Sequence, residues 1–206
     1  MQPTRPPRAN PFVKFFVRIL LKISGWRFEE GDICKYPSSV LIGAFHTTNW
    51  DGLFAMLIPA AADVRIKFMI KQEWLNKPVF GAIIKWFGGI GIDRSKSNNM
   101  VDQIAEAFRD DPQLVLGITP EGTRKRTEYW KTGFYYIALK ANVPIGTAFV
   151  DYKNKVCGFG PSIMPTGDLE KDMQVFRDFF ATVTPKYPQN AGPIQFKPQV
   201  ETEKRG

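Results

Sequence analysis

At 206 residues the chain is long enough to bury a core as one domain, and its 44% hydrophobic and 23% charged content excludes disorder except at the ends. A net charge of +8 together with 17 Phe suits an anionic partner, nucleic acid or a membrane face, and composition does not choose between the two. Two distant cysteines, Cys34 and Cys157, form no CxxC pair and no His spacing for zinc; one disulfide stays open, and two free buried thiols fit a reducing compartment better.

The opening MQPTRPPRANP has no apolar stretch or cleavage site of a secretory leader. No run approaches the roughly 18 uninterrupted apolar residues that span a bilayer. The expected location is therefore peripheral or monotopic on the cytoplasmic face of a membrane. NPFVKFFVRILLKISGW predicts a helix capped by Asn10, with Pro11 in its first turn. Lys14, Arg18 and Lys22 fall along one stripe of it, while Phe12, Phe15, Phe16, Ile19, Leu20 and Ile23 occupy most of the rest. A wide apolar face beside a cationic strip is the pattern of an interfacial helix, and equally of a helix packed on the domain; the two are compatible.

From residue 38 onward short apolar runs alternate with helical periodicity. SSVLIGAF, VRIKFMIK, GIGIDR, QLVLGIT and PIGTAFVDY read as strands. WDGLFAMLIPAAA, PVFGAIIKWFGG, NNMVDQIAEAFRDD with Asn98 or Asn99 as cap, TGFYYIALKANV and DLEKDMQVFRDFFATV read as helices, and KVCGFGPSIMPT as extended chain. That alternation predicts an α/β fold, a mostly parallel central sheet with helices on both faces, plus the N-terminal amphipathic helix. The expected boundaries are 1–24 for the basic tail and surface helix, 25–184 for the domain and 185–206 for a C-terminal tail.

His46 is the single histidine and ends the first strand in FHTTNWD, with Asp51 five residues on. On a continuous helix that spacing sets two side chains about 140° apart, but across a strand-to-helix turn they meet. The aspartate then holds one ring nitrogen while the other faces substrate, as a general base requires; a lone histidine beside a helix-capping aspartate is the plainer alternative. In GITPEGTRKR the chain turns after a strand through Pro120 and Gly122, leaving Glu121, Arg124, Lys125 and Arg126 at the strand's carboxyl end, where open α/β sheets bind ligands. Glycine allows close backbone approach to an anion and arginine grips phosphate as a fork. In GGIGIDRSKSNN, Arg94 and Lys96 sit between a strand and a helix start, a second anion-binding arrangement. Each of these is also compatible with an ordinary charged loop.

Taken in order, HTTNWD, GIDR, TPEGTR and VPIGTAF resemble the four-block pattern of the glycerophospholipid acyltransferase family, which includes lysophosphatidate acyltransferases. His46 and Asp51 match the His-x4-Asp block, Arg94 the end of the second, Pro120, Glu121, Gly122, Thr123 and Arg124 the third, and Val143, Pro144 and Ile145 the fourth. Thr119 stands where the family usually has Phe and Lys125 where it has Ser, which leaves the acylated lipid open. Lys71 looks like a lysine that some members carry between the first two blocks.

The resemblance implies a glycerol-3-phosphate acyltransferase-like fold and an O-acyltransferase of phospholipid biosynthesis. Acyl-CoA or an acyl carrier protein would be its co-substrate, and no metal or bound cofactor is implied. It makes His46 the base, oriented by Asp51. It makes Lys71, Arg94, Glu121, Gly122, Thr123 and Arg124 the residues that hold the acceptor, most expectedly 1-acyl-glycerol-3-phosphate. The loop from Lys125 to Lys131 would lie over the anionic head group, and backbone amides of the turn after His46 would serve the oxyanion. Other lysolipids or lipo-amino acids are alternative acceptors, and a non-catalytic lipid-binding protein is the alternative class. Trp74, Trp86, Trp130 and the Tyr135–Tyr136 pair beside basic residues would suit nucleic acid, but at helical spacing they read as core, so no nucleic acid is expected. A lipid-ester hydrolase lacks its Gly-x-Ser-x-Gly elbow here.

Overall fold

The apolar run from Ser38 becomes β2 (Ser39–Gly43), the middle of a sheet ordered β1-β7-β6-β2-β5-β3-β4 in the computed structural model, which describes residues 6, 8, 10–78, 81–82, 88–92 and 100–198. The remaining strands are β1 (Arg27–Glu29), β3 (Lys67–Lys71), β4 (Gly89–Ile92), β5 (Val115–Ile118), β6 (Ile145–Asp151) and β7 (Val156–Ile163). Five of the pairings are parallel; only β6 and β7, joined by a short turn, run antiparallel. The helices are α1 (Pro11–Ile23), α2 (Asn49–Ala62), α3 (Gln72–Leu75), α4 (Met100–Asp110), α5 (Gly133–Ala141) and α6 (Leu169–Phe180).

Because side chains alternate across a strand, each central strand feeds two cores. Val40, Ile42, Leu114 and Leu116 pack with Phe108 of α4, Phe134 of α5 and Phe176 of α6. Leu41 and Val115 point the other way, to Leu21 of α1 and to Phe54 and Ile58 of α2. Near-continuous apolar strands are what a sheet covered on both faces requires. Each fully buried Phe or Leu contributes about 1.5–3 kcal/mol.

Three features differ from the sequence-based expectation or extend it. Strand β1 is only three residues long and pairs with β7 from 129 positions away in the register Arg27–Val156, so no local pattern announces it. The segment expected as a tail from residue 185 packs on the domain as far as Pro198. Phe196 is buried in the core, the Trp130 N–H donates to the Gln195 carbonyl (2.9 Å), and Arg177 Nε donates to the Ile194 carbonyl (2.8 Å). Gly192 passes so close to Thr127 that a Cβ there would sit 1.9 Å from its carbonyl oxygen. Cys157 is buried as expected, whereas Cys34, in a 3-10 turn at Ile33–Lys35, is exposed; no disulfide joins them.

The helix expected over 78–89 lies largely, and Arg94, Lys96, Asn98, Asn99 and Trp86 lie wholly, outside the described residues. Trp130 and Tyr135 are buried core residues, 2% and 0% exposed, so neither offers a stacking face.

The amphipathic helix α1 is capped by Asn10, whose side chain accepts from Phe12 N–H. It docks by its narrower edge: Leu21 is buried, and Arg18 Nε donates to the Ala61 carbonyl (2.8 Å). Arg18 and Lys14 also pair with Glu30, and the Arg18 guanidinium lies over Phe28. At 100° per residue the cationic stripe therefore turns toward the protein, except for Lys22 at its margin. Phe12, Phe16, Leu20 and Ile23 face outward at 76%, 67%, 55% and 80% exposure.

Candidate active site

Three neighbouring parallel strands deliver their ends to one place. Ile42 of β2 is in register with Ile118 of β5, and Gly43 with Ala148 of β6. Running on a few residues, the chain reaches His46 from β2, Glu121 from β5 and Tyr152 from β6, all at the carboxyl edge where open α/β sheets bind ligands.

Helix α2 begins at this edge because Thr48 caps it. Asp51 completes a capping box, reaching back to the Thr48 amide, an arrangement worth about 1 kcal/mol to the helix. Its Oδ2 accepts from the N–H groups of Thr47 (2.7 Å) and Thr48 (2.8 Å), and its Oδ1 accepts from the Tyr152 hydroxyl (2.7 Å). His46 Nδ1 lies 3.8 Å from Oδ2. That is longer than a hydrogen bond but within ion-pairing range once the ring is protonated. The turn thus places histidine and aspartate side by side, with the carboxylate committed first to backbone amides. Those amides are consequently engaged: His46 N–H donates to Glu121, Thr47 and Thr48 to Asp51, and Trp50 to Thr48 Oγ1.

Glu121 is 5% exposed, and its Oε2 accepts the His46 N–H at 2.7 Å. Burial, with a smaller contribution from the charge of Asp51, pushes its carboxyl up to about 7 against the pull of that hydrogen bond. Burial likewise holds the His46 imidazole below its ordinary value; Asp51 opposes that shift and the charge of Arg124 adds to it. A half-buried imidazole kept neutral at physiological pH is the form that accepts a proton.

Gly122 takes a left-handed φ of +64°, which turns the chain away from β5. A Cβ at this position would lie 2.8 Å from Lys131 Nζ, so the lysine folds back over the turn. Lys131 is also tied there by its N–H to the Pro120 carbonyl (2.9 Å). Thr123, Arg124 and Lys125 are exposed in the turn, whereas Arg126 reaches the Ala191 carbonyl and anchors the C-terminal segment.

His46, Asp51, Glu121 and Gly122 are therefore gathered at one edge, with Arg124 near enough to act on the imidazole. Lys71 closes β3, two strands from β2, and only its backbone is described. Arg94 follows β4, whose carboxyl end is three strands from β2. The sequence reading missed Tyr152, Lys186 and Tyr187. Tyr187 N–H donates to Thr47 Oγ1 (3.4 Å), and Lys186 Nζ lies 5.0 Å from the Trp50 ring centre and 5.9 Å from that of Tyr152. One signal for Tyr152 was available: it ends a strand at the same sheet edge as His46.

A His-Asp pair and a Pro-Glu-Gly turn at the carboxyl ends of adjacent parallel strands are the arrangement of an α/β acyl-transfer domain. The Acyltransferase family profile matches residues 29–151, more than half of the chain, and the chain belongs to that family. Among solved structures its fold is similar to the 1-acyl-sn-glycerophosphate (LPA) acyltransferase PlsC from Thermotoga maritima. The two are 14% identical, with a TM-score of 0.56, over 85% of this chain and 81% of that one. No curated protein matches the sequence.

Proposed function

We propose that this acyltransferase moves a fatty acyl group from acyl-CoA or an acyl carrier protein to the free hydroxyl of a lysophospholipid, 1-acyl-glycerol-3-phosphate in the first instance. The observation that carries the reading is His46, half-buried and held neutral beside Asp51, at a sheet edge where the Arg124 charge reaches the imidazole and Lys131 folds over Gly122. In this mechanism the imidazole takes the proton of the acceptor hydroxyl as the oxygen attacks the thioester carbonyl. The carbon–sulfur bond breaks, and the departing thiolate takes the proton from the imidazolium. Asp51 stabilises that imidazolium, and no covalent acyl-enzyme forms.

The cations would hold the acceptor phosphate, with Thr123 and Gly122 shaping the turn beneath it; Arg94 and Lys71 are proposed for the same role. Catalysis would take place on a membrane surface, probed by the exposed apolar side of α1. No helix among the described residues is long and apolar enough to cross a bilayer.

Thiol release from an acyl-CoA, with lysophosphatidate or water as the acceptor, tests the reading. Release that requires both lysophosphatidate and His46 is expected, and His46→Ala is expected to lose at least about a hundredfold in turnover with an unchanged melting temperature. Release with water alone would mean a thioesterase. Retained transfer by His46→Ala would remove the histidine from the mechanism.

A further inference from the structure

Asp51 uses its two oxygens differently. Oδ2 is shared by the Thr47 and Thr48 amides and faces His46 Nδ1, while Oδ1 accepts from Tyr152 at 2.7 Å. The last torsion of an aspartate is broad, so a carboxylate pinned at one oxygen only still swings. We propose that Tyr152 is a positioning residue of the site, its hydroxyl fixing the Asp51 carboxylate beside His46 while drawing off part of its charge. The inference rests on the acyl-transfer reading for its catalytic consequence, and on geometry alone for the coupling itself.

The phenol is built into place before any substrate arrives. Its backbone N–H donates to the Thr184 carbonyl (2.9 Å), and its ring lies edge-on to Trp26 (5.5 Å between centroids) and to Phe54 (5.9 Å). The turn that follows is closed by Asp151, whose Oδ1 accepts from Lys153 (3.1 Å) and Asn154 (3.2 Å) N–H groups. Burial first, and then the bond to Asp51, push the Tyr152 hydroxyl far above the ordinary tyrosine value, so it stays protonated and remains a donor. Lys186 Nζ lies 5.9 Å from the centre of the same ring. The role fits the chemistry: a hydrogen bond from Tyr152 spreads the carboxylate charge and tempers its pull on the imidazolium.

Because His46 is the single histidine, its titration can be followed by NMR on the full chain without substrate. The charges facing it are Asp51 and Arg124, with the Glu121 carboxyl behind its amide. All three persist in Tyr152→Phe, which deletes the hydroxyl and keeps the ring. The His46 pKa is expected to rise by about 0.5 unit in Tyr152→Phe. In the acyl-transfer assay kcat is expected to fall about tenfold with KM for both substrates little changed. The same change made on Asp51→Asn is expected to alter neither quantity further.

Should Tyr152→Phe fold poorly, 3-fluorotyrosine at 152 strengthens the donor and should move the histidine titration downward. An unmoved titration in whichever variant folds, or a moved titration with unchanged kcat in a wild-type-active background, overturns the proposal. If the wild type releases no thiol while the titration still moves, the coupling stands and the acyl-transfer reading falls.

Discussion

Glu121 joins the two segments that the sequence singled out, and it does so through a backbone hydrogen bond rather than a side-chain contact. That choice carries an electrostatic cost. The unfolded carboxyl titrates near 4.5 and the buried one near about 7, so between these values the unfolded chain releases a proton that the native state keeps. Stability from this group is fully present below 4.5 and is lost as pH rises through about 7, by roughly 3 kcal/mol in all. Glu121→Gln keeps an acceptor for the His46 amide and cannot ionise. Its melting temperature is expected to lack the decline that the wild type shows over that window. Equal slopes in calorimetric scans would place the proton elsewhere. The identity of Glu121 was legible in the Pro-Glu-Gly turn; its partner was not, because the amide it binds lies 75 positions away.

At the scale of elements, α1 inverts one habit of amphipathic helices. Its cations Lys14 and Arg18 are drawn in by Glu30 and the Ala61 carbonyl, and its Phe and Ile side chains are left outside. The sequence pattern predicted both stripes but not which of them would dock, since Glu30 and the end of α2 are distant in the chain. Trp50, Leu53 and Met56 on α2, against which α1 packs, are exposed as well. Phe16→Asp and Ile23→Asp are each expected to lower partitioning onto anionic vesicles about tenfold or more, by burying a charge where an apolar group belonged. Their melting temperatures should stay close to the wild type, because both side chains are mostly exposed and Phe16 gives up only an edge contact with the Phe15 ring. Equal co-sedimentation of these variants would take α1 out of membrane contact.

Over the whole molecule, the strand–helix alternation made the sheet and its two covered faces readable in advance, since buried parallel strands must be apolar on both sides. What it did not contain were long-range returns: β1 onto β7, Tyr152 onto Asp51 across 101 positions, and the chain after α6 back across Thr127 and Trp130. That last segment is irregular, Pro-rich and polar enough to resemble a loose end, yet it supplies Phe196 to the core and brings Lys186 beside the site. Phe196→Ala is expected to cost about 3 kcal/mol, read as a shifted urea midpoint with an unchanged slope. A cost near zero would return the segment to the status of a tail.

The unlike settings of the two cysteines turn the protein into its own labelling substrate. Cys157 lies in β7, within the sheet, with its thiol pushed up to about 12 by burial, whereas Cys34 is open to solvent. Since the thiolate is the reactive form, a maleimide dye should couple to one site per native chain and to two after denaturation. Mass spectrometry counting two adducts on the native chain would contradict this. A fluorophore on Cys34 then gives a single reporter, obtained without mutating any residue, with which approach to a lipid surface can be followed in real time.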